Sequence, residues 1–234
     1  MVRAIECWLV LILMLFCPQC IVVYGQESAA VYWFDKGNDF LEDRSYEEAI
    51  ENYDKAIEID RRFSEVWVAK GIALVGLERY NESIDCFDEA IKINPEYAEA
   101  WHNKGLALAI GLGRYEEAIL ACNKAISLSP QDADFWNGLG VALVGLGKYD
   151  VAIDAFDRSL ELNPSDASSW KNRGNALCNQ SRYDEAVEAY DEAIAINPKD
   201  AYAWNYKGQA LLDLGRDAEA DAAFAKARDL GYSG

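Results

Sequence analysis

Few side chains in this sequence could carry covalent or metal chemistry. There is one histidine, His102. A catalytic dyad would need a nucleophile held beside it, and each Ser and Cys elsewhere sits where a structural reason accounts for it. His102 is therefore read as a solvated side chain rather than a base or metal ligand. Cys17 and Cys20 lie close together, but both fall in an apolar leading segment. The other late cysteines, Cys86, Cys122 and Cys178, are an odd set with no disulfide framework. No glycine-rich phosphate loop appears. Two Asn-x-Ser sequons, at Asn81 and Asn179, could accept a glycan. The expectation is a chain with no catalytic residues, no cofactor and no metal site, and so not an enzyme.

Charge narrows the partners. Across 234 residues, 40 acidic side chains face 22 basic ones, a formal charge of −18. Binding nucleic acid requires Lys and Arg to displace phosphate counterions, so nucleic acid is excluded as a partner. Such acidity serves solubility, or a preference for basic partners.

The elements that must position everything else are set by a repeat. Trp33, Trp67, Trp101, Trp136, Trp170 and Trp204 are spaced 34, 34, 35, 34 and 34 residues apart. A glycine follows each by four residues: Gly37, Gly71, Gly105, Gly140, Gly174 and Gly208. Tyr46, Tyr80, Tyr115, Tyr149 and Tyr183 open the second half of five units, and small residues, then Tyr53, Phe87, Cys122, Phe156, Tyr190 and Phe224, follow. Pro95, Pro130, Pro164 and Pro198 close four of them. Trp67, Gly71 and Leu74 lie on one face of a helix, and Ile84, Phe87, Ala90 and Ile91 on one face of the next. Asn94-Pro95 ends the second helix, because the residue before proline is pushed out of the helical region. One such hairpin cannot bury its own apolar face, so stability comes from neighbours.

This pattern of Trp, Gly, Tyr, Ala, Phe, Ala and Pro resembles the tetratricopeptide repeat. The resemblance covers residues 30–234, in units 30–63, 64–97, 98–132, 133–166, 167–200 and 201–234, behind a segment 1–25 and a short linker 26–29. It implies an all-α fold, a right-handed α-α superhelix of antiparallel hairpins whose first helices line a concave groove. Three departures stand out. Arg61 takes the place of a proline, the third unit has one extra residue in its turn around Ile110 to Gly113, and the sixth unit lacks its Tyr and Pro.

By the same resemblance, positions one, five, eight and nine after each Trp tend to face the groove. Units two to four then offer Val68, Ile72, Val75, Leu106, Ala109, Val141 and Val144, with His102 and Asn137 among them. Units five and six offer Lys171, Asn175, Asn205 and Gln209. The apolar part suits an amphipathic helix and the amides suit the backbone of an extended peptide. The valines could equally pack between neighbouring first helices. Lys171 and Asn175 match the first pair of the family's carboxylate clamp, but Tyr206 stands where the clamp needs Asn, so the clamp is incomplete.

Residues 1–25 carry only Arg3 and Glu6 as charges, with an unbroken apolar run from Trp8 to Cys17. Pro18, Val23 and Gly25 complete the pattern of a secretory signal peptide cut before Gln26. The alternative is an uncleaved anchor, since residues 7–24 approach the roughly 20 residues of a bilayer span. The functional expectation is a non-catalytic, exported scaffold holding a protein or peptide in its groove. A membrane-anchored assembly factor is the alternative, as is a module that self-associates weakly through its sixth unit rather than staying monomeric.

Overall fold

Each second helix carries an apolar stripe on a charged cylinder. In the segment Tyr80–Ile93, Ser83, Ile84, Phe87 and Ala90 are buried, while Asn81, Glu82, Asp85 and Asp88 face solvent. The first helices are apolar around more of their circumference, because they contact their own second helix and also neighbouring hairpins.

The computed structural model describes residues 18–233, with side chains from residue 29 onward. Hairpin one pairs α1 (Pro18–Glu42) with α2 (Tyr46–Ile59), and hairpin two pairs α3 (Ser64–Gly76) with α4 (Tyr80–Ile93). Hairpin three pairs α5 (Ala98–Leu106) with α6 (Tyr115–Leu128), and hairpin four pairs α7 (Ala133–Gly145) with α8 (Tyr149–Leu162). Hairpin five pairs α9 (Ala167–Asn179) with α10 (Tyr183–Ile196), and hairpin six pairs α11 (Ala201–Asp213) with α12 (Asp217–Asp229). No strand occurs among the described residues. The chain divides into two compact units, one ending at Glu96 and the other beginning at Tyr97. The first holds hairpins one and two; the second holds hairpins three to six.

Two sequence expectations need correction. Residues 26–29 are not a linker, since α1 runs through them without a break. The extra residue of the third unit does not lengthen the turn. It is absorbed as a single π-helical turn, Ala107–Gly111, continuing α5. The closing bond records this. In hairpins four and five the backbone N–H after the turn reaches five residues back, Lys148 to Leu143 and Arg182 to Leu177; in hairpin three Arg114 reaches six back, to Leu108. Of the proposed export or anchor segment, residues 1–17 lie outside the described residues. Among the described residues, no helix is long and apolar enough to cross a membrane.

The repeat signature has a physical account at each position. A Cβ placed on Gly71 or Gly140 would land in the ring of Phe87 or Phe156, and one on Gly174 would lie 2.6 Å from Tyr190. The glycine therefore makes room for the second helix's aromatic ring. Trp and Pro are coupled. The indole N–H of Trp136, Trp170 and Trp204 donates to the carbonyl of Pro130, Pro164 and Pro198 at 3.0, 3.0 and 3.1 Å. Trp67 makes the same bond to Arg61, at 3.1 Å, so the missing proline costs no partner. Before the proline, the side chains of Asn163 and Asn197 accept backbone N–H groups two residues on, as Asp60 does in hairpin one, shaping the turn.

Hairpins are also joined by a charge ladder. Asp54 of α2 pairs with Lys70 of α3, Asp157 of α8 with Arg173 of α9, and Asp191 of α10 with Lys207 of α11. Where hairpins three and four meet, the same positions carry Asn123 and Leu139, and Leu139 is buried.

Each turn inside a hairpin places one residue in the left-handed region. Gly113, Gly147 and Gly215 do this without cost, but Arg44, Glu78 and Ser181 hold φ of 59° with a side chain. Glu78→Gly is expected to stabilise the fold by about 0.5–1 kcal/mol, because relief of the left-handed conformation outweighs the added freedom of the unfolded chain. A rise in the urea midpoint checks it; a fall would mean that Glu78 makes a contact worth more than the strain.

Candidate partner-binding groove

The side chains expected in the groove divide into those that are core, those bound to neighbouring residues, and those still open to a partner. In hairpin two Val68 is core, Val75 is half-buried, and Ile72 alone of the three is exposed. In hairpin three Ala109 is buried, because the π-helical turn carries Ile110 outward in its place. Leu106, Val141 and Val144 are half-buried, the two valines packing on the core. Of the apolar set, Val68 and Ala109 are thus core residues rather than groove residues, and Val141 and Val144 are partly committed to the core.

His102 is not solvated. Its ring lies 4.9 Å from that of Phe135, and it presses on Gly138, where a Cβ would be 2.8 Å from Cε1. Its Nδ1 is buried with no hydrogen-bond partner among the described residues. Burial holds its pKa below the ordinary histidine value, against the opposing pull of the Asp134, Asp132 and Glu99 carboxylates. The ring acts as a neutral packing group between α5 and α7.

Several polar candidates are already engaged. Asn137 donates to Asp166 at 3.4 Å and accepts from Asn172 at 3.0 Å. Lys171 reaches Asp200, the N-cap of α11, at 2.7 Å. Asn175 accepts the hydroxyl of Tyr190 at 2.7 Å through Oδ1. The two residues that match a carboxylate clamp are therefore held by their own chain. Asn205 remains half-buried and Gln209 exposed.

The open part of the groove is a hollow of about 460 Å³ between hairpins four, five and six. Val144 and Asn175 stand on one side, Tyr183 and Tyr190 come from α10, and α11 contributes Tyr206, Gln209 and Asp213. Its origin is legible in the repeat. In hairpins two and four, Gly76 and Gly145 lie nine residues after Trp and receive the rings of Tyr46 and Tyr115. In hairpin six that position is Asp213, so the ring of Tyr183 has no glycine to close upon. Deeper in, Cys178 Sγ lies 3.5 Å from the Tyr190 hydroxyl. Since that hydroxyl donates to Asn175, the thiol is its donor. The Asn175 side-chain amine has no partner among the described residues.

Sequence reasoning placed Val144, Asn175 and Gln209 here but missed Tyr183, Tyr190, Tyr206, Cys178 and Asp213. A covariation carried part of the signal. Where the buried aromatic is Tyr, the residue five after Trp is Asn: Tyr53 with Asn38 at 2.8 Å, and Tyr190 with Asn175. Where it is Phe, that residue is Ile72, Val141 or Gln209.

Nothing in the site is poised as a nucleophile. All three described cysteines are free, and burial pushes the thiols of Cys86 and Cys122 up to about 11 and about 12. Burial also raises Cys178 and Tyr190. Among the described residues no cluster of three His, Cys, Asp or Glu side chains could hold a metal ion.

Paired helices of fixed period, each hairpin seating an aromatic ring or thiol under a glycine, define a helical-repeat protein. The tetratricopeptide repeat matches residues 30–63, and in overlapping stretches 68–133, 124–167, 137–201 and 171–231, so the chain belongs to that family. Its fold is of the all-α, α-α superhelix class, and proteins of this family bind protein or peptide partners. A comparison with curated protein sequences gave no match. Among solved structures, PilW, a type IV pilus biogenesis factor, superposes with a TM-score of 0.81 at 18% identity, over 87% of this chain and 94% of that one. MamA gives 0.60 at 26% identity, over 68% and 93%. YrrB, a tetratricopeptide protein with an unusual peptide-binding site, gives 0.57 at 23% identity, over 76% and 92%.

Proposed function

We propose that the chain is a non-catalytic scaffold that holds an extended segment of a partner protein in the hollow of hairpins four to six. The carrying observation is the Asn175 amide. Tyr190 occupies its oxygen and so fixes the group, leaving its N–H donors unspent beside Gln209. Fixed amide donors and acceptors match the backbone of an extended peptide. The peptide-binding site of YrrB supports the reading by analogy of fold. The reading holds whether the N-terminal segment is removed on export or kept as an anchor.

The test is selection of binders from a random peptide library on the immobilised protein, repeated with Gln209→Arg. Gln209 is exposed, so the variant keeps its helical circular dichroism. The selected peptides are expected to lose affinity about ten-fold or more, the effect of blocking a central contact. Peptides that bind the variant unchanged would move the site out of the hollow.

A further inference from the structure

The hollow has a charge that the fold leaves unbalanced. The hollow is lined from α7, α9, α10 and α11; α7 carries no cation, and every cation on the other three is already paired. Lys171 and Arg173 of α9 bind Asp200 and Asp157 at 2.7 and 2.6 Å, Lys207 of α11 binds Asp191 at 2.5 Å, and α10 carries none. Asp213 lies at the rim, the one carboxylate in the lining, and has neither ion pair nor hydrogen bond among the described residues. Tyr206, Gln209 and Asp213 follow at i, i+3 and i+7, so they share one face of α11. Tyr183 and Tyr190 stand opposite, on α10. Tyr190 is itself core, but Tyr183 and Tyr206 are half-exposed, and two such rings beside a free carboxylate suit a long side chain with an apolar stem and a positive head. The stem lies along the rings and the head meets both their electron-rich faces and the acid.

We infer that the hollow between hairpins five and six receives a lysine or arginine side chain of the partner's segment, its charge paired with Asp213. This rests on the groove reading above and specifies its ligand. A carboxylate-bearing side chain is excluded there, because it would meet Asp213 in a chain of net charge −18. A short aliphatic one would fill the space but leave the acid unpaired.

The test uses the full chain and a positional-scanning library of hexapeptides with both ends blocked, so that no terminal charge competes. One position is expected to select Lys and Arg over every other residue. Asp213→Asn should weaken the selected peptides about ten-fold, as for loss of a charge-assisted contact. Asp213→Lys should turn the preference at that position to Asp and Glu, an outcome that simple misfolding cannot produce. Asp221→Asn, an exposed acid on α12, should change nothing, which separates a local pair from bulk charge. Peptides selected with no preference for Lys or Arg, or a preference that survives Asp213→Asn, would overturn the inference while leaving the scaffold reading in place. A library with no binders at all would overturn both.

Discussion

Phe156→Ala is expected to destabilise the protein by about 3–5 kcal/mol, the range for removing a fully buried aromatic side chain. Phe156 has no solvent exposure. Its ring fills the notch at Gly140 and lies in the core cluster that unites hairpins three to six. Collapse cannot heal the gap easily. The surrounding residues, Ala125, Ala152 and Ala155 among them, are small and fixed on helices that are themselves packed on both sides. Urea unfolding followed by helical circular dichroism measures the loss. Trp136→Ala makes the informative comparison, since Trp136 is only half-buried and gives up one hydrogen bond, to Pro130. Its loss should be the smaller of the two. The reverse order would place the centre of stability at the conspicuous tryptophans rather than at the less conspicuous Phe.

The second large effect belongs to Asp166. This carboxylate caps α9 by accepting the backbone N–H groups of Ser168 and Ser169, at 3.0 and 3.1 Å. It also accepts the Ser169 hydroxyl, whose oxygen lies 2.9 Å from that of Ser159. Both serines are wholly buried. Because Ser169 donates to Asp166, the Ser159 hydroxyl donates to Ser169, and the acid anchors the chain of bonds. Asp166→Ala removes the cap, which costs about 0.5–2 kcal/mol. It also leaves a buried hydroxyl without an acceptor, a further penalty of about 1–3 kcal/mol. A total of about 1.5–5 kcal/mol is expected from these terms. Ser159→Ala in the same background should recover little, since Ser169 is the group left without an acceptor. Adding Ser169→Ala should recover a measurable part. No recovery there would mean that the cap alone carries the effect.

How far the sequence can be read differs between fold and groove. The spacing of Trp, Gly, Tyr and Pro sufficed to place the hairpins, because these signature residues answer to partners close by in the sequence, within the unit or just across its boundary. Gly140 answers to Phe156 and Trp136 to Pro130. Groove residues are different. Their fate depends on side chains in the next hairpin, some 30 positions away, such as Asp200 for Lys171 and Asp166 for Asn137. A position within a repeat names a face of the helix but not what the neighbour brings to it. The inserted residue of unit three shows the same limit. Counting reveals it, yet whether a helix or a turn absorbs it depends on backbone hydrogen bonding that residue types do not encode. His102 departs from the solvated reading for the same reason: the absence of a nucleophile beside it says nothing of what packs on the ring. Gly138, on the first helix of the next hairpin, lets the ring sink onto α7.

The neutral step in the charge ladder has a consequence for assembly. Modules so alike can mis-stack during folding, one hairpin docking where another belongs, as happens in tandem arrays. Here the counterparts do not interchange. Hairpin five set against hairpin three would bring Arg173 to Asn123 and leave the cation without its acid. Hairpin four set against hairpin five would press Leu139 upon Asp191. Asn123 and Leu139 thus work as an index mark, a keyed joint in an otherwise uniform row, which makes the slipped orders costlier than the native one.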